Sequence, residues 1–118
     1  MQVLLQHLAH ARSGDKGNTV NIAVFAFAPE LYPLLVEQLT PERVKAFYQG
    51  AITGEVLRYP VPGLHAINFV AHGALGGGVS RSLSLDQYGK AMSAALLGFP
   101  IEVPPSLREH LVNWIQGA

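Results

Sequence analysis

ARSGDKGNTVNI, residues 11–22, sets an arginine, an aspartate, a lysine, two glycines and two asparagines between two apolar runs. Before it lie the Leu- and Val-rich residues 2–11, and from within it runs NIAVFAFA, residues 21–28. Both flanks read as β-strands, the first of eight or nine residues and stopped at Gly14, so the polar stretch between them reads as a strand-to-strand connection. Two accounts of it compete. Asp, Gly and Asn are ordinary turn residues, which makes a tight turn with a solvated tip, or the same residues build a polar site on a strand end. The near-continuous apolar character of residues 21–28 predicts a central strand covered on both faces.

Working outward, Pro29 opens a helix in which Leu31, Leu34, Leu35 and Leu39 recur at helical spacing while Glu30 and Glu37 face away. Thr40-Pro41 is an N-cap followed by proline at the first helical position, and it starts a second helix that runs through Tyr48 and ends at Gly50. Residues 52–61 read as a strand cut short by Pro60 and Pro62, and LHAINFVA, residues 64–71, as another. Asp86 caps a further helix with Tyr88, Met92, Ala95 and Leu96 on one face, closed by Gly98. Residues 99–103 give a short last strand before Pro104-Pro105, and Ser106 with Glu109 forms a capping box for an amphipathic tail helix carrying Leu107, Leu111, Trp114 and Ile115. Strands interleaved with helices, with no long linker and no internal repeat, make residues 1–118 one α/β (α+β) domain. The arrangement expected is a two-layer sandwich, with helices on one face of a mostly antiparallel sheet.

Composition narrows the function classes. A chain of 118 residues buries one core. Eight basic residues balance eight acidic ones without a run of either sign, so no field draws in a nucleic-acid backbone or an anionic membrane. No apolar window reaches the length of a membrane span, no signal peptide is evident at the N-terminus, and a cytoplasmic location is the default. Without cysteine there is no disulfide, thiolate nucleophile or cysteine metal site. Only 14% of residues are charged, a lean surface that predicts a homodimer or larger closed oligomer.

In the first motif, Gly14 and Gly17 can take positive φ or admit a ligand to the backbone, and Ser13 and Asn18 add hydrogen-bonding groups beside them. Arg12 offers an anion a bidentate fork and Lys16 a point charge. Asp15 between them is a turn residue, a carboxylate that orients Lys16, or a general base. The spacing is neither that of a P-loop nor that of a dinucleotide fingerprint. A second glycine-bearing stretch, residues 73–90, carries Gly76-Gly77-Gly78, then Arg81 and Ser82, then Asp86 and Lys90. A glycine triplet exceeds what a simple reversal needs, and the helix start at Asp86 is either a cap or an anion site. Asn68 and His72, four apart on a strand, point the same way, and Asn68, inside an otherwise apolar strand, needs hydrogen-bond partners that a ligand or the neighbouring GDKGN loop can supply.

Other chemistries fare poorly. His10, His72 and Asp15 make a poor metal site, since the five histidines show no HxH or HExxH pattern, and neither metal nor cofactor is expected. Serines at 13, 80 and 82 give no convincing nucleophile triad. The tyrosines are scattered without a basic stripe, so no nucleic-acid platform is expected.

Taken together, ARSGDKGNTVNI and NFVAHGALGGGVSRSLSLDQYGK resemble the small domain at the C-terminus of proteins related to AtuA, the acyclic terpene utilisation protein, a domain also found free-standing. The resemblance covers residues 8–97, and the paired motifs are far more specific than either alone. It implies a ferredoxin-like fold and a setting in the breakdown of terpenoid or other acyl compounds, often as coenzyme A thioesters. Carried onto this chain, the family signature falls on residues 11–18 and Asn21, and on Asn68, Phe69, Gly76, Gly77, Gly78, Ser82, Leu83, Asp86, Gly89 and Lys90. With the residue chemistry above, the candidates for binding are Arg12, Ser13, Gly14, Gly17, Asn18, Asn21, Asn68, Gly76, Gly77, Gly78, Arg81, Ser82 and Lys90. Asp15, Lys16 and Asp86 are the candidates for catalysis. The family pattern has an arginine where this chain has Ser84, which weakens the site or leaves it to Arg81. The large AtuA-type portion is not part of this chain, so a separate large subunit is an expected partner alongside a small anionic or acyl-CoA ligand.

Overall fold

The structure, a computed structural model, describes residues 1–74 and 92–115. The helix start at Asp86, the glycine triplet and Arg81, Ser82, Ser84 and Lys90 lie outside the described residues. Six strands alternate with short helices: β1 (Gln2–Leu4), β2 (Ala9–Lys16), β3 (Thr19–Ala26), α1 (Tyr32–Gln38), α2 (Pro41–Phe47), β4 (Val56–Val61), β5 (Ala66–His72) and β6 (Pro100–Glu102). Residues 92–96 are also helical. A four-stranded sheet in the order β2-β3-β5-β4 and a two-stranded one, β1-β6, are antiparallel in every ladder. This is the expected α+β architecture, with two hairpins meeting along β3 and β5.

Alternation along those two strands positions the core. Val20, Ile22 and Val24 of β3 face Ala71, Phe69 and Ile67 of β5, and all six are almost fully buried. They pack with Leu31, Leu35, Leu39 and Val44 of the helical layer and with Leu5, Leu8, Leu96 and Ile101. β3 is central, as expected, but its helices cover one face only. Asn21, Ala23 and Phe25 stand on the other side, half-buried. Its apolar run hid a period-two pattern, because the outward positions hold alanine and phenylalanine.

Other boundaries differ from expectation for local reasons. Residues 2–11 are not one strand. A 3-10 turn, Leu5–His7, breaks them, and it brings Leu5 and Leu8 into the core from the same side, three residues apart. The backbone of this turn is taken up by the segment before β6, with Leu5 N–H donating to Phe99 O and Gln6 N–H to Leu97 O. β4 runs through Pro60, which an edge strand tolerates because one side of its backbone has no partner. The tail forms a 3-10 helix, Pro105–His110, in place of an amphipathic α-helix. Pro104 occupies the N-cap position and no side chain caps the turn, so the Ser106–Glu109 box does not form. Leu107, Leu111 and Trp114 still pack against the core. The Thr40 cap is present, its hydroxyl accepting from Arg43 N–H at 3.2 Å. Among the described residues no helix is long and apolar enough to cross a membrane.

Two buried polar contacts lock the layers together. Gln38, at the end of α1, donates to Glu102 O at 2.8 Å and accepts from Glu102 N–H at 2.7 Å, so its amide behaves as an extra rung on β6. Arg58 of β4 donates to Val36 O and Leu39 O, closing carbonyls at the C-terminus of α1. Gln38→Leu strands both groups of Glu102, and the expected cost is about 1–3 kcal/mol of stability. Urea denaturation reads this directly, and an unchanged midpoint would mean that the Gln38 bonds contribute nothing.

Candidate functional site

The polar motif is strand, not loop. Arg12 to Lys16 belong to β2, and the only residues outside the ladder are Gly17 and Asn18, since Lys16 pairs with Thr19. Gly17 sits at φ +62 while Asn18 is not among the positive-φ residues, which is the pattern of a two-residue II′ hairpin with glycine first. Gly14 has no positive φ; it pairs with Asn21 inside the ladder.

Strand alternation then divides the motif between two surfaces. Arg12, Gly14 and Lys16 are exposed on the face away from the helices, whereas Ser13 and Asp15 are half-buried on the helix side. The Asp15 oxygen Oδ2 is shielded from solvent. Asp15 therefore does not lie between Arg12 and Lys16 as a partner for either, and the reading in which it orients Lys16 fails on geometry. Arg12 and Lys16 make no ion pair among the described residues.

On the open face the ladder registers place the remaining candidates. Asn21 and Asn68 meet diagonally across β3 and β5, with Asn21 Nδ2 donating to Asn68 Oδ1 at 2.6 Å. That bond leaves Asn68 an amide donor and Asn21 an amide acceptor. Ala23 lies beside Arg12 on one side and Asn68 on the other, and a Cβ at Gly14 would meet nothing within 4 Å. The face is thus low at Gly14 and Ala23, with Val70 beside Asn21 on β5. At its hairpin end His72 approaches the Thr19 hydroxyl, Nδ1 to Oγ1 at 3.3 Å. Asn68 and His72 do share a face, but His10 pairs with Phe25 at the far end, about 20 Å along the strands from His72. The His10–His72–Asp15 grouping, a poor metal site on its sequence pattern, is not assembled.

The first motif also touches the start of the second. Asn18 O accepts from both Gly73 N–H, at 2.9 Å, and Ala74 N–H, at 3.2 Å. Gly73, at φ +68, is wedged so closely that a Cβ would stand 2.4 Å from Thr53 Oγ1, and one on Gly54 would stand 2.5 Å from His72 O. The chain leaves β5 for the second motif from beside the hairpin tip. Whether Asp86 and Lys90 return to it lies outside the described residues.

Residues 3–102 match the family described as the AtuA ferredoxin-like domain. The chain belongs to that family. Its match begins in β1 and ends in β6, so the family unit spans both partners of the small sheet. No curated protein and no solved structure matches the chain. The ferredoxin-like description concerns the fold, since a chain without cysteine has no thiolates to hold an iron–sulfur cluster.

The composition of residues 21–28 does not single out Phe25 and Phe27, and Tyr59 of β4 counts in the sequence only as one of the scattered tyrosines. Tyr59 pairs with Asn68 and borders the face opposite Arg12. Alternation from Asn21 through Ala23 to Phe25 and Phe27 was the available signal. The two motif glycines should part company on mutation: Gly17→Ala should cost about 1–2 kcal/mol because of its left-handed backbone, and Gly14→Ala should leave stability unchanged within about 0.5 kcal/mol. Thermal unfolding of the pair checks the hairpin assignment, which equal effects would overturn.

Proposed function

We propose that the chain is a small subunit or accessory component of an enzyme system handling acyl or terpenoid compounds, acyl-CoA among them, and that it holds an anionic group on the open sheet face. The observation that carries this is the pair of exposed cations, Arg12 and Lys16, which make no ion pair among the described residues and flank Gly14, facing the Asn21–Asn68 pair. A guanidinium fork, an ammonium and a primary amide donor converge there on ground that Gly14 and Ala23 leave uncrowded. Gly17 and Asn18 contribute by shaping the turn that presents Lys16. Family membership supports the acyl setting, and a separate AtuA-type large subunit would supply the rest of a shared site.

Within this reading, binding without turnover by the isolated chain is the better supported form. Of the two catalytic candidates among the described residues, Lys16 stands on the open face while Asp15 faces the helix layer, so the carboxylate is not beside the cations. A proton-transfer role for Asp15, or for Asp86, belongs to a surface completed by the large subunit, and a homo-oligomer is compatible with either form.

Calorimetric titration with acetyl-CoA tests the site. Saturable binding is expected, weakened about 5- to 10-fold in each of Arg12→Ala and Lys16→Ala, and falling with added salt because the cations are exposed. Gly14→Val should abolish it by filling the open ground without unfolding the strand. Binding indifferent to all three substitutions would remove the open face from consideration. Turnover lost in Asp15→Asn with binding retained, in the presence of a co-purified large subunit, would mark a catalytic carboxylate.

A further inference from the structure

The open face changes character along the strands. At the hairpin end it carries Lys16, Thr19, His72, Asn21 and Arg12; at the other end it carries an aromatic group. His10 packs on Phe25 with ring centroids 4.9 Å apart and stacks on Phe27 at 6.0 Å, with 19° between the latter rings. Phe27 is 42% exposed, and Val61 and Leu64, at the same end of β4 and the turn after it, are 37% and 65% exposed. Water therefore meets apolar side chains at this end of the face, beginning two rungs beyond Arg12, since Arg12 pairs with Ala23 and His10 with Phe25.

Resting on the anion-binding reading above, we propose that this face takes an amphiphile. Its anionic head lies between Lys16 and Arg12, and its single apolar tail runs along β3 over Ala23 to His10, Phe25 and Phe27. Three features argue for such an occupant. The cations sit at one end and the apolar patch at the other, so charge and hydrophobicity are matched in sequence along one direction. The path between them is low at Gly14 and Ala23, with Arg12 on one side of Ala23 and Asn68 and Val70 of β5, then Tyr59 and Leu57 of β4, on the other. The span from the Asn21 rung to Phe27 is six residues, about 20 Å, a length that suits an extended alkyl or isoprenoid chain. Among the described residues, Glu55 precedes β4 at the opposite edge of the sheet from Arg12 and Lys16, and so does not compete with the head.

Alkyl phosphates and alkyl carboxylates of increasing length, titrated below their micelle concentrations, test the proposal. Affinity should rise several-fold with each added pair of methylenes in both series, and the same tails on a trimethylammonium head should not bind. Phe27→Ala, at an exposed position, should flatten the dependence on length while leaving butyl phosphate unaffected. Lys16→Ala should weaken every length by the same factor. If acetyl-CoA binding is lost in Lys16→Ala but alkyl chains of all lengths bind equally, the tail assignment falls and the anion site stands. If neither acetyl-CoA nor any amphiphile binds, both fall. Sedimentation of the wild type and Phe27→Ala closes the remaining alternative: a dimer that the substitution dissociates, in a protein indifferent to amphiphiles, assigns the aromatic end to a second copy and overturns the proposal.

Discussion

The ladder between β3 and β5 is the constraint from which the rest of the molecule follows. Its register sets Val20 against Ala71, Ile22 against Phe69 and Val24 against Ile67, and these pairs are the floor on which both helices sit. Because side chains alternate with period two, the same register puts Asn21 and Asn68 on the opposite face, close enough to bond at 2.6 Å. A slip of one residue would send two asparagines under the helices and Ile22 and Phe69 into water. The core and the polar site are therefore fixed by a single choice, and neither can drift without the other.

Position along that ladder also governs how the two motifs relate. The hairpin tip after β2 reaches beyond the end of β3, and there the Asn18 carbonyl receives the first two amides after β5. Gly54 and Gly73 allow the loop before β4 to come against the same point, with Thr53 and Gly54 N–H groups donating to Gly73 O and His72 O. Three segments distant in sequence are thus knotted by backbone bonds at one edge of the sheet. Backbone bonds of this kind depend on shape more than on side-chain identity, which explains why glycine occupies two of the contact positions.

Much of this was legible in advance, and the failures share a cause. The Thr40-Pro41 helix start, the central place of β3 and the antiparallel layer were readable because capping chemistry and apolar density are local signals. The strand through Arg12 to Lys16 was not, because turn-forming residues outweigh a ladder that only a partner strand makes worthwhile. The break at Leu5–His7 was invisible for the converse reason: QVLLQHLAHA has strand composition throughout, and the turn is imposed by the carbonyls of Leu97 and Phe99, contributed from far downstream. In the tail, Pro104 and Pro105 defeated a capping box that the Ser106 and Glu109 spacing satisfies on paper.

The most consequential of these failures concerns the site. Read as a loop, ARSGDKG gathers a base, two cations and backbone amides around one point, and catalysis looks like its natural use. Read as a strand, the same residues are sorted by parity: Arg12, Gly14 and Lys16 to the open face, Ser13 and Asp15 to the helix side. Asp15 behind the sheet is out of hydrogen-bond reach of a group held between Arg12 and Lys16 in front of it, so a proton-transfer role for it belongs to the other surface. Density of polar residues in sequence is therefore poor grounds for inferring a reaction when the segment is extended. The open face carries the exposed cations Arg12 and Lys16, and a carboxylate acting on a group held between them has to reach that face from elsewhere.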